Sequence, residues 1–104
     1  FKPVLETTFE EWRHVLSTNL DGAFLCSQAF GKIMTGQRSG AIVNIASISG
    51  LRASTLRVAY GTSKAALIHM TKQHAAEFGK SFNRFVATAH SGLAFPVITK
   101  ARNL

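Results

Sequence analysis

The chain has 104 residues, a formal net charge of +7 and 46% hydrophobic residues. That length suits one small domain, and the composition indicates a folded rather than a disordered chain. The single cysteine, Cys26, excludes an internal disulfide and a zinc site built from several thiolates. We expect it to be a small buried hydrophobe in a reduced, cytoplasmic protein. No apolar run approaches the roughly 18 residues that a membrane-spanning helix needs, so no membrane partner is expected.

The net positive charge of the chain comes entirely from its second half. Residues 1–51 are neutral overall, whereas residues 52–104 carry the whole excess. Such asymmetry can mark a protein that binds an anionic partner, and it also arises when balancing acids lie elsewhere in a longer protein. The aromatic residues fall at core spacing rather than between lysines and arginines, so we expect no nucleic-acid partner. A non-catalytic basic binding module is the alternative of another class.

The first predicted element is an amphipathic helix. Thr8 and Glu11 have the spacing of a capping box. The apolar residues that follow recur mostly every three or four positions, which predicts a helix from this cap to about Met34. Gly36 and Gly40 would then bracket a polar turn.

The remaining predicted elements alternate between strand and helix. Residues 41–46 are apolar and β-branched, as in a strand buried on both faces of a parallel sheet. Residues 59–79 predict a helix, and residues 84–89 a second strand; no element is predicted after residue 92. A strand, a crossover helix and a strand imply a right-handed parallel pair. The apolar side of the second helix is predicted to consist of Ala65, Leu67, Ile68, Thr71, Ala75 and Phe78.

This order of elements predicts an α/β fold that is incomplete by itself. Two parallel strands do not make a stable sheet, and a parallel sheet needs helices on both faces. We therefore expect residues 1–104 to be the central and C-terminal part of a single doubly wound domain. Its N-terminal segment and its C-terminal end would lie outside this chain.

Candidate functional residues fall where an open α/β sheet binds ligands, beyond the carboxyl ends of its strands. Ser47 follows the first strand, although serine is also common in ordinary turns. Tyr60 and Lys64 share one helix face, where an ammonium group favours the phenolate that proton transfer to or from an alkoxide requires. A packed tyrosine beside an exposed lysine is the alternative. Asn19 lies among weak helix formers within the first helix, which could also mark a helix that stops and restarts.

In combination these features resemble the short-chain dehydrogenase/reductase family. The segment Asn44-Ile45-Ala46-Ser47 closes a strand, and Tyr60-Gly61-Thr62-Ser63-Lys64 opens a helix 13 residues after Ser47. Asn19-Leu20-Asp21-Gly22 is similar to the central helix of that family. The resemblance extends from about residue 3 to residue 84. The Gly-rich turn that cradles the cofactor in this family is absent from the chain, and His90-Ser91-Gly92 stands where the family usually has Pro-Gly.

The resemblance implies a Rossmann-type domain and an NAD(P)-dependent oxidoreductase. Tyr60 would be the general acid/base and Lys64 would assist its ionisation; both would bind the cofactor, Lys64 at the nicotinamide ribose. Ser47 and Tyr60 would bind the substrate carbonyl, and Asn19 would anchor a water chain that returns protons to Lys64. Thr99 would contact the nicotinamide. The four catalytic residues would thus be Asn19, Ser47, Tyr60 and Lys64.

The resemblance also implies a partner and a substrate class. The substrate would be a small carbonyl compound or alcohol, first a 3-oxoacyl thioester and alternatively a sugar acid, a polyol or a steroid alcohol. The segment that selects NAD or NADP lies outside this chain. The two long helices would form a homodimer or homotetramer interface. The histidines show no ligand spacing, so no metal is expected. We expect residues 1–104 in isolation to be inactive.

Overall fold

The structure is a computed structural model that describes residues 2–81, 84–90 and 97–102. Its main elements are α1 (Phe9–Leu16), α2 (Gly22–Gln37), β1 (Ser39–Ile45), α3 (Val58–Ser81), β2 (Arg84–His90) and β3 (Val97–Arg102). The predicted order of helix, strand, helix and strand is confirmed, and β3 is an additional strand. The boundaries of the predicted elements shift by at most three residues.

The strands form one sheet in the order β1-β2-β3. β1 and β2 are parallel, with Ser39 opposite Arg84 and Ile45 opposite His90. α3 is the crossover between them, as predicted. β3 returns antiparallel to β2, with Thr99 opposite Ala87. The carboxyl ends of the two parallel strands therefore meet at the same edge of the sheet.

The first helical stretch is capped as predicted. The Thr8 hydroxyl oxygen accepts a hydrogen bond from the Glu11 backbone N–H at 3.1 Å. The Glu11 carboxylate accepts from the Lys2 ammonium at 2.8 Å and from the Thr8 hydroxyl at 3.2 Å. Hydrogen bonds from Lys2 and from the side chain and backbone of Thr8 lower the pKa of the Glu11 carboxyl, so the carboxylate reaches back to Thr8 as in a capping box. This arrangement ties the N-terminal segment to the first turn of α1.

A single π-helical turn, Ser17–Asp21, joins α1 to α2 without a break. The residues on both sides of it, Leu16 and Gly22, keep right-handed helical backbone angles. The alternative of a helix that stops and restarts is therefore wrong. Asn19 lies at the centre of the widened turn, and such π-turns are frequent at functional sites.

The predicted polar turn after this helix is shorter than expected. α2 continues through Gly36 to Gln37, and Gly40 already belongs to β1. Only Arg38 separates the two elements. It adopts a left-handed conformation (φ 59°), and its N–H reaches the carbonyls of Met34 and Thr35. One residue in this conformation is sufficient to end a helix and reverse the chain.

The core lies where α2, α3 and one face of β1 meet. Ala75 is fully buried against three partly buried side chains, Met34, Ile42 and Phe78. The α3 face matches the prediction except that Ala65 is exposed. Gly31 of α2 lies directly under the Phe78 ring, where a Cβ atom would collide with it. A small residue at this crossing allows the two helices to approach closely.

A buried polar bridge also links β1 to α3. The Asn44 side-chain amide donates to the Thr71 hydroxyl at 2.9 Å, and that hydroxyl donates to the Leu67 carbonyl at 2.8 Å. Thr71 is completely buried. Because an unpaired polar group is costly in a core, this chain of bonds favours one register of the strand against the helix.

The second face of β1 is not covered by the described residues. Val43 and Ile45 are 61% and 63% exposed, so the expectation of a strand buried on both faces is wrong for this chain taken alone. Cys26 is also exposed rather than buried. Within the described ranges, no helix is long and apolar enough to cross a membrane.

We predict that His74 makes the stability of the fold depend on pH. Its ring lies 5.6 Å from the Phe78 ring, and its Nδ1 atom is buried without a hydrogen-bond partner. Burial lowers the pKa of His74 from 6.5, against a smaller opposing effect of Glu77. The unfolded chain therefore binds more protons in this range, and stability present above pH 6.5 is lost as the pH falls through the lower pKa.

Thermal unfolding between pH 7.5 and 5 measures this effect. The melting temperature of the wild type should fall on acidification, and His74→Gln should reduce that fall. His69→Gln, at an exposed position of the same helix, is the matched control. An identical pH profile for His74→Gln and the wild type would contradict the assignment.

Candidate functional site

Ser47 lies in a tight turn directly after the carboxyl end of β1. Its side-chain oxygen accepts a hydrogen bond from the backbone N–H of Ser49 at 3.1 Å. Its carbonyl accepts from the backbone N–H of Gly50 at 2.9 Å. The Ile48–Gly50 segment is thereby wound into a single 3-10 turn. Because the hydroxyl oxygen is used as an acceptor here, its own hydrogen remains available to a ligand.

This turn packs directly against the backbone of α3. A Cβ atom on Gly50 would lie 2.8 Å from the carbonyl carbon of Lys64 and 2.9 Å from the nitrogen of Ala65. A Cβ atom on Gly61 would lie 3.1 Å from the Ser49 carbonyl oxygen. Two glycines on opposite sides of the contact thus bring the Ser47 turn against the first turns of the helix.

Tyr60 and Lys64 lie together at this edge of the sheet. The Lys64 ammonium nitrogen is 5.7 Å from the centroid of the Tyr60 ring. It also donates a hydrogen bond to the Ile45 carbonyl, the last of β1, at 2.9 Å. The alternative of a lysine directed into solvent is therefore wrong. The side chain of Lys64 connects the helix to the end of the strand.

Asn19 is joined to the same helix from the other side. Its side-chain amide donates to the Ser63 hydroxyl at 3.1 Å, and that hydroxyl donates to the Tyr60 carbonyl at 2.8 Å. Ser63 is completely buried. The π-helical turn that contains Asn19 is thus attached to the turn of α3 that carries Tyr60 and Lys64.

Ser63 is the residue that the sequence analysis missed. Its position three residues after Tyr60 is a usable signal, because a serine hydroxyl in a helix commonly bonds the carbonyl one turn earlier. The second bond, to Asn19, spans 44 residues and has no signal in local spacing.

The structure connects three of the five predicted site residues, brings Ser47 against the same helix through its turn, and places only Thr99 elsewhere. Tyr60, Lys64 and Asn19 are linked as described, and Ser47 enters through its turn. Thr99 lies opposite Ala87, three residues before the end of β2 at His90, and not at the edge where Ser47 lies. Its cofactor contact stays a prediction. Of the segment that replaces Pro-Gly, residues 91 and 92 lie outside the described residues.

Two cavities lie near the start of α3, and Tyr60 lines one of them. A cavity of about 270 Å³ is lined by Tyr60 together with residues of the N-terminal segment and of the helix start, among them Lys2, Glu11 and Arg57. A second cavity, of about 420 Å³, is lined by residues 49–58 and by the outer side of α3. In the part of the chain that the structure describes, no group of three histidines, cysteines or acids could hold a metal ion.

Comparison with known proteins is consistent across sequence and structure. The sequence model of short chain dehydrogenases matches residues 1–96. Galactitol 2-dehydrogenase of Rhizobium johnstonii is 37% identical over 98 residues, covering 92% of this chain and 38% of that protein. A 3-oxoacyl-[acyl-carrier-protein] reductase of Synechocystis is 39% identical over 74 residues, covering 71% of this chain and 30% of that protein.

The fold agrees with these relatives. The solved structure of 4-hydroxyisoleucine dehydrogenase complexed with NADH superposes with a TM-score of 0.81 and 41% identity. The match covers 86% of this chain and 39% of that one. The chain thus spans between 30% and 39% of the length of these three proteins.

We predict that Gly50→Ala destabilises the protein and Gly36→Ala does not. The added methyl group at position 50 meets the backbone of α3, which cannot rotate away, whereas nothing lies within 4 Å of a Cβ atom at position 36. Overpacking of this kind costs about 1–3 kcal/mol, and alanine is the better helix former at position 36. Denaturant unfolding of both variants tests this; equal stability of the two would contradict the close contact.

Proposed function

The chain belongs to the short-chain dehydrogenase family, and from this premise we propose that the protein is an NAD(P)-dependent oxidoreductase that interconverts a carbonyl compound and an alcohol. The observation that carries the proposal is the placement of Tyr60 and Lys64 side by side at the carboxyl end of β1. An acid/base group next to a fixed cation is what proton transfer to a carbonyl oxygen requires.

The donor groups of this site fit the ribose of a nicotinamide cofactor. An ammonium group has three N–H donors, and the bond to Ile45 uses one of them. The others can bind the ribose hydroxyls, with the Tyr60 hydroxyl alongside. When bound, the nicotinamide ring supplies or accepts a hydride at C4. The family comparison supports such a cofactor. The solved structure of 4-hydroxyisoleucine dehydrogenase, to which this chain is similar, is a complex with NADH.

Tyr60 and Ser47 act on the substrate oxygen in this mechanism. In the direction of reduction, Tyr60 donates its phenolic proton to the oxygen that becomes an alcohol, and the Lys64 ammonium stabilises the phenolate that remains. The Ser47 hydroxyl, whose oxygen accepts from Ser49, donates its own hydrogen to the same oxygen and polarises the carbonyl. In oxidation the phenolate removes the proton of the alcohol.

Asn19 has a supporting role in proton supply. Its side-chain amide donates a hydrogen bond to the hydroxyl of Ser63, the residue before Lys64. That hydroxyl donates in turn to the Tyr60 carbonyl. We assign to Asn19 the anchoring of a water chain that returns a proton to Lys64 after each reduction. The same contacts position the turn of α3 that carries the acid/base pair.

Two substrate classes are supported by different relatives. A 3-oxoacyl thioester is our first choice and corresponds to the reductase of Synechocystis. A sugar acid, polyol or steroid alcohol is the alternative, and galactitol 2-dehydrogenase is a polyol enzyme by name. The family assignment favours both over a non-catalytic binding module.

We propose further that residues 1–104 are one part of a single Rossmann-type domain in a cytoplasmic protein. The uncovered face of β1, with Val43 and Ile45 exposed, supports this, because a parallel sheet is covered on both faces in such domains. A homodimer or homotetramer through α2 and α3 is supported by large exposed apolar side chains on α2. These are Phe24, Leu25, Phe30 and Ile33.

We predict that Tyr60→Phe lowers kcat of the full-length enzyme by at least about 100-fold, because general acid/base catalysis contributes about 10²- to 10⁴-fold. The affinity for NADH or NADPH, measured by fluorescence titration, should fall far less than kcat, because the Lys64 ammonium still binds the ribose. Turnover by Tyr60→Phe at the wild-type rate would rule out the assigned role.

Lys64→Met provides a second readout of the same site. It should weaken cofactor binding and lower kcat together. Lys72→Met is the matched control, since Lys72 is exposed and lies two turns further along α3. It should leave both quantities unchanged.

The proposed interface predicts a change of mass in solution. Phe24 borders a groove between α2 and α3 together with His74 and Phe78. Phe24→Lys should therefore shift the full-length protein toward the monomer in light scattering coupled to size exclusion. Leu5→Lys, an exposed apolar position outside both helices, should not. Equal masses for both variants would place the interface elsewhere.

A further inference from the structure

Two arginines line the larger cavity beside the active-site turn. Arg52 and Arg57 are the charged residues among those that the structure describes around its 420 Å³. In a recess of about 190 Å³ the same arginines stand together with Ser49, Ala53 and Ser54. Two arginines and two serines thus line one small space.

The recess and the cavity that Tyr60 borders share one lining residue, Arg57. Its carbonyl accepts from the backbone N–H of Gly61 at 2.7 Å, which fixes Arg57 one turn before Tyr60 at the start of α3. Ser49 belongs to the turn of Ser47. The recess is therefore linked through Arg57 to the cavity that Tyr60 borders, and through Ser49 to the turn of Ser47.

The charge of this region is positive. The sequence has no acidic residue between Asp21 and Glu77, so the segment that lines the recess carries no acid of its own. The acid in the Tyr60 cavity is Glu11, which accepts a hydrogen bond from Lys2 at 2.8 Å. That bond lowers the pKa of the Glu11 carboxyl. Glu11 is thus paired with Lys2, and the other charged residues that line these cavities, Arg52 and Arg57, are both basic.

We propose that Arg52 and Arg57 bind an anionic group, a carboxylate or a phosphate, of the substrate whose carbonyl or alcohol carbon reacts at Tyr60. This inference rests on the proposed function. A guanidinium group matches both anions because it can form two parallel hydrogen bonds with either. Hydroxyl groups such as those of Ser49 and Ser54 add further donors. The substrate is then a hydroxy or oxo acid, or a phosphate-bearing thioester, and not a neutral polyol.

The experiment measures KM and kcat of the full-length enzyme with three kinds of substrate. These are sugar acids and short oxo acids, which carry a carboxylate; acetoacetyl-CoA, which carries phosphates; and the neutral polyols galactitol and xylitol. Arg52→Gln and Arg57→Gln should each raise KM for the anionic substrate by about tenfold or more, the usual effect of losing a charge-assisted hydrogen bond. KM for a neutral polyol should not change.

Three controls separate binding of the anion from an effect on the fold. Arg38→Gln removes an arginine at the opposite edge of the sheet, before β1, and should leave KM unchanged. Arg52→Lys and Arg57→Lys keep the charge and should retain part of the affinity. Each variant is checked by its melting temperature. KM for the anionic substrate should also rise with ionic strength.

The outcomes distinguish this inference from the proposed function. Selective loss with carboxylates identifies a hydroxy or oxo acid, and selective loss with acetoacetyl-CoA identifies the phosphate. A wild-type enzyme that prefers neutral polyols, or arginine variants that raise KM equally for neutral and anionic substrates, would overturn the inference while Tyr60→Phe still abolished turnover. If Tyr60→Phe had no effect, the proposed function itself would fail.

Discussion

The close backbone contact between the turn after β1 and the start of α3 is the constraint on which the site depends. Gly50 and Gly61 permit it, and the hydrogen bond from Lys64 to the Ile45 carbonyl holds it. Without this approach, the turn that carries Ser47 would not pack against the helix that carries Tyr60. A β-carbon at position 50 would meet main-chain atoms, which cannot move aside as a flexible side chain can.

The π-helical turn gives a physical reason for the weak helix formers at its centre. Widening the helix at Ser17–Asp21 brings the Asn19 amide to the buried Ser63 hydroxyl, which is itself bonded to Tyr60. The segment with low helix propensity is thus the one in which Asn19 makes a long-range polar contact. Such a conflict between local and global preference is typical of functional segments.

The uneven charge of the chain acquires a partial explanation from the same geometry. Arg52 and Arg57 belong to the basic half and line the cavity beside the turn of Ser47, and Arg57 also lines the cavity that Tyr60 borders. The Lys64 ammonium near the reacting oxygen and the guanidinium groups of Arg52 and Arg57 would together favour anionic over neutral ligands through their electrostatic field. The uncovered face of β1 and the exposed apolar side chains of α2 are, in contrast, apolar surfaces that the described residues leave open to solvent.

Local spacing in the sequence determined the parts of this protein that depend on neighbours along the chain. The Thr8 cap, the shared face of Tyr60 and Lys64, and the alternation of strand and helix all follow from contacts within a few residues. Only the tertiary structure decided that Lys64 reaches Ile45, that Asn19 meets Ser63, and that β3 runs antiparallel to β2. These contacts join residues far apart in the chain, and their geometry depends on how α3 packs across the sheet, which no local pattern encodes.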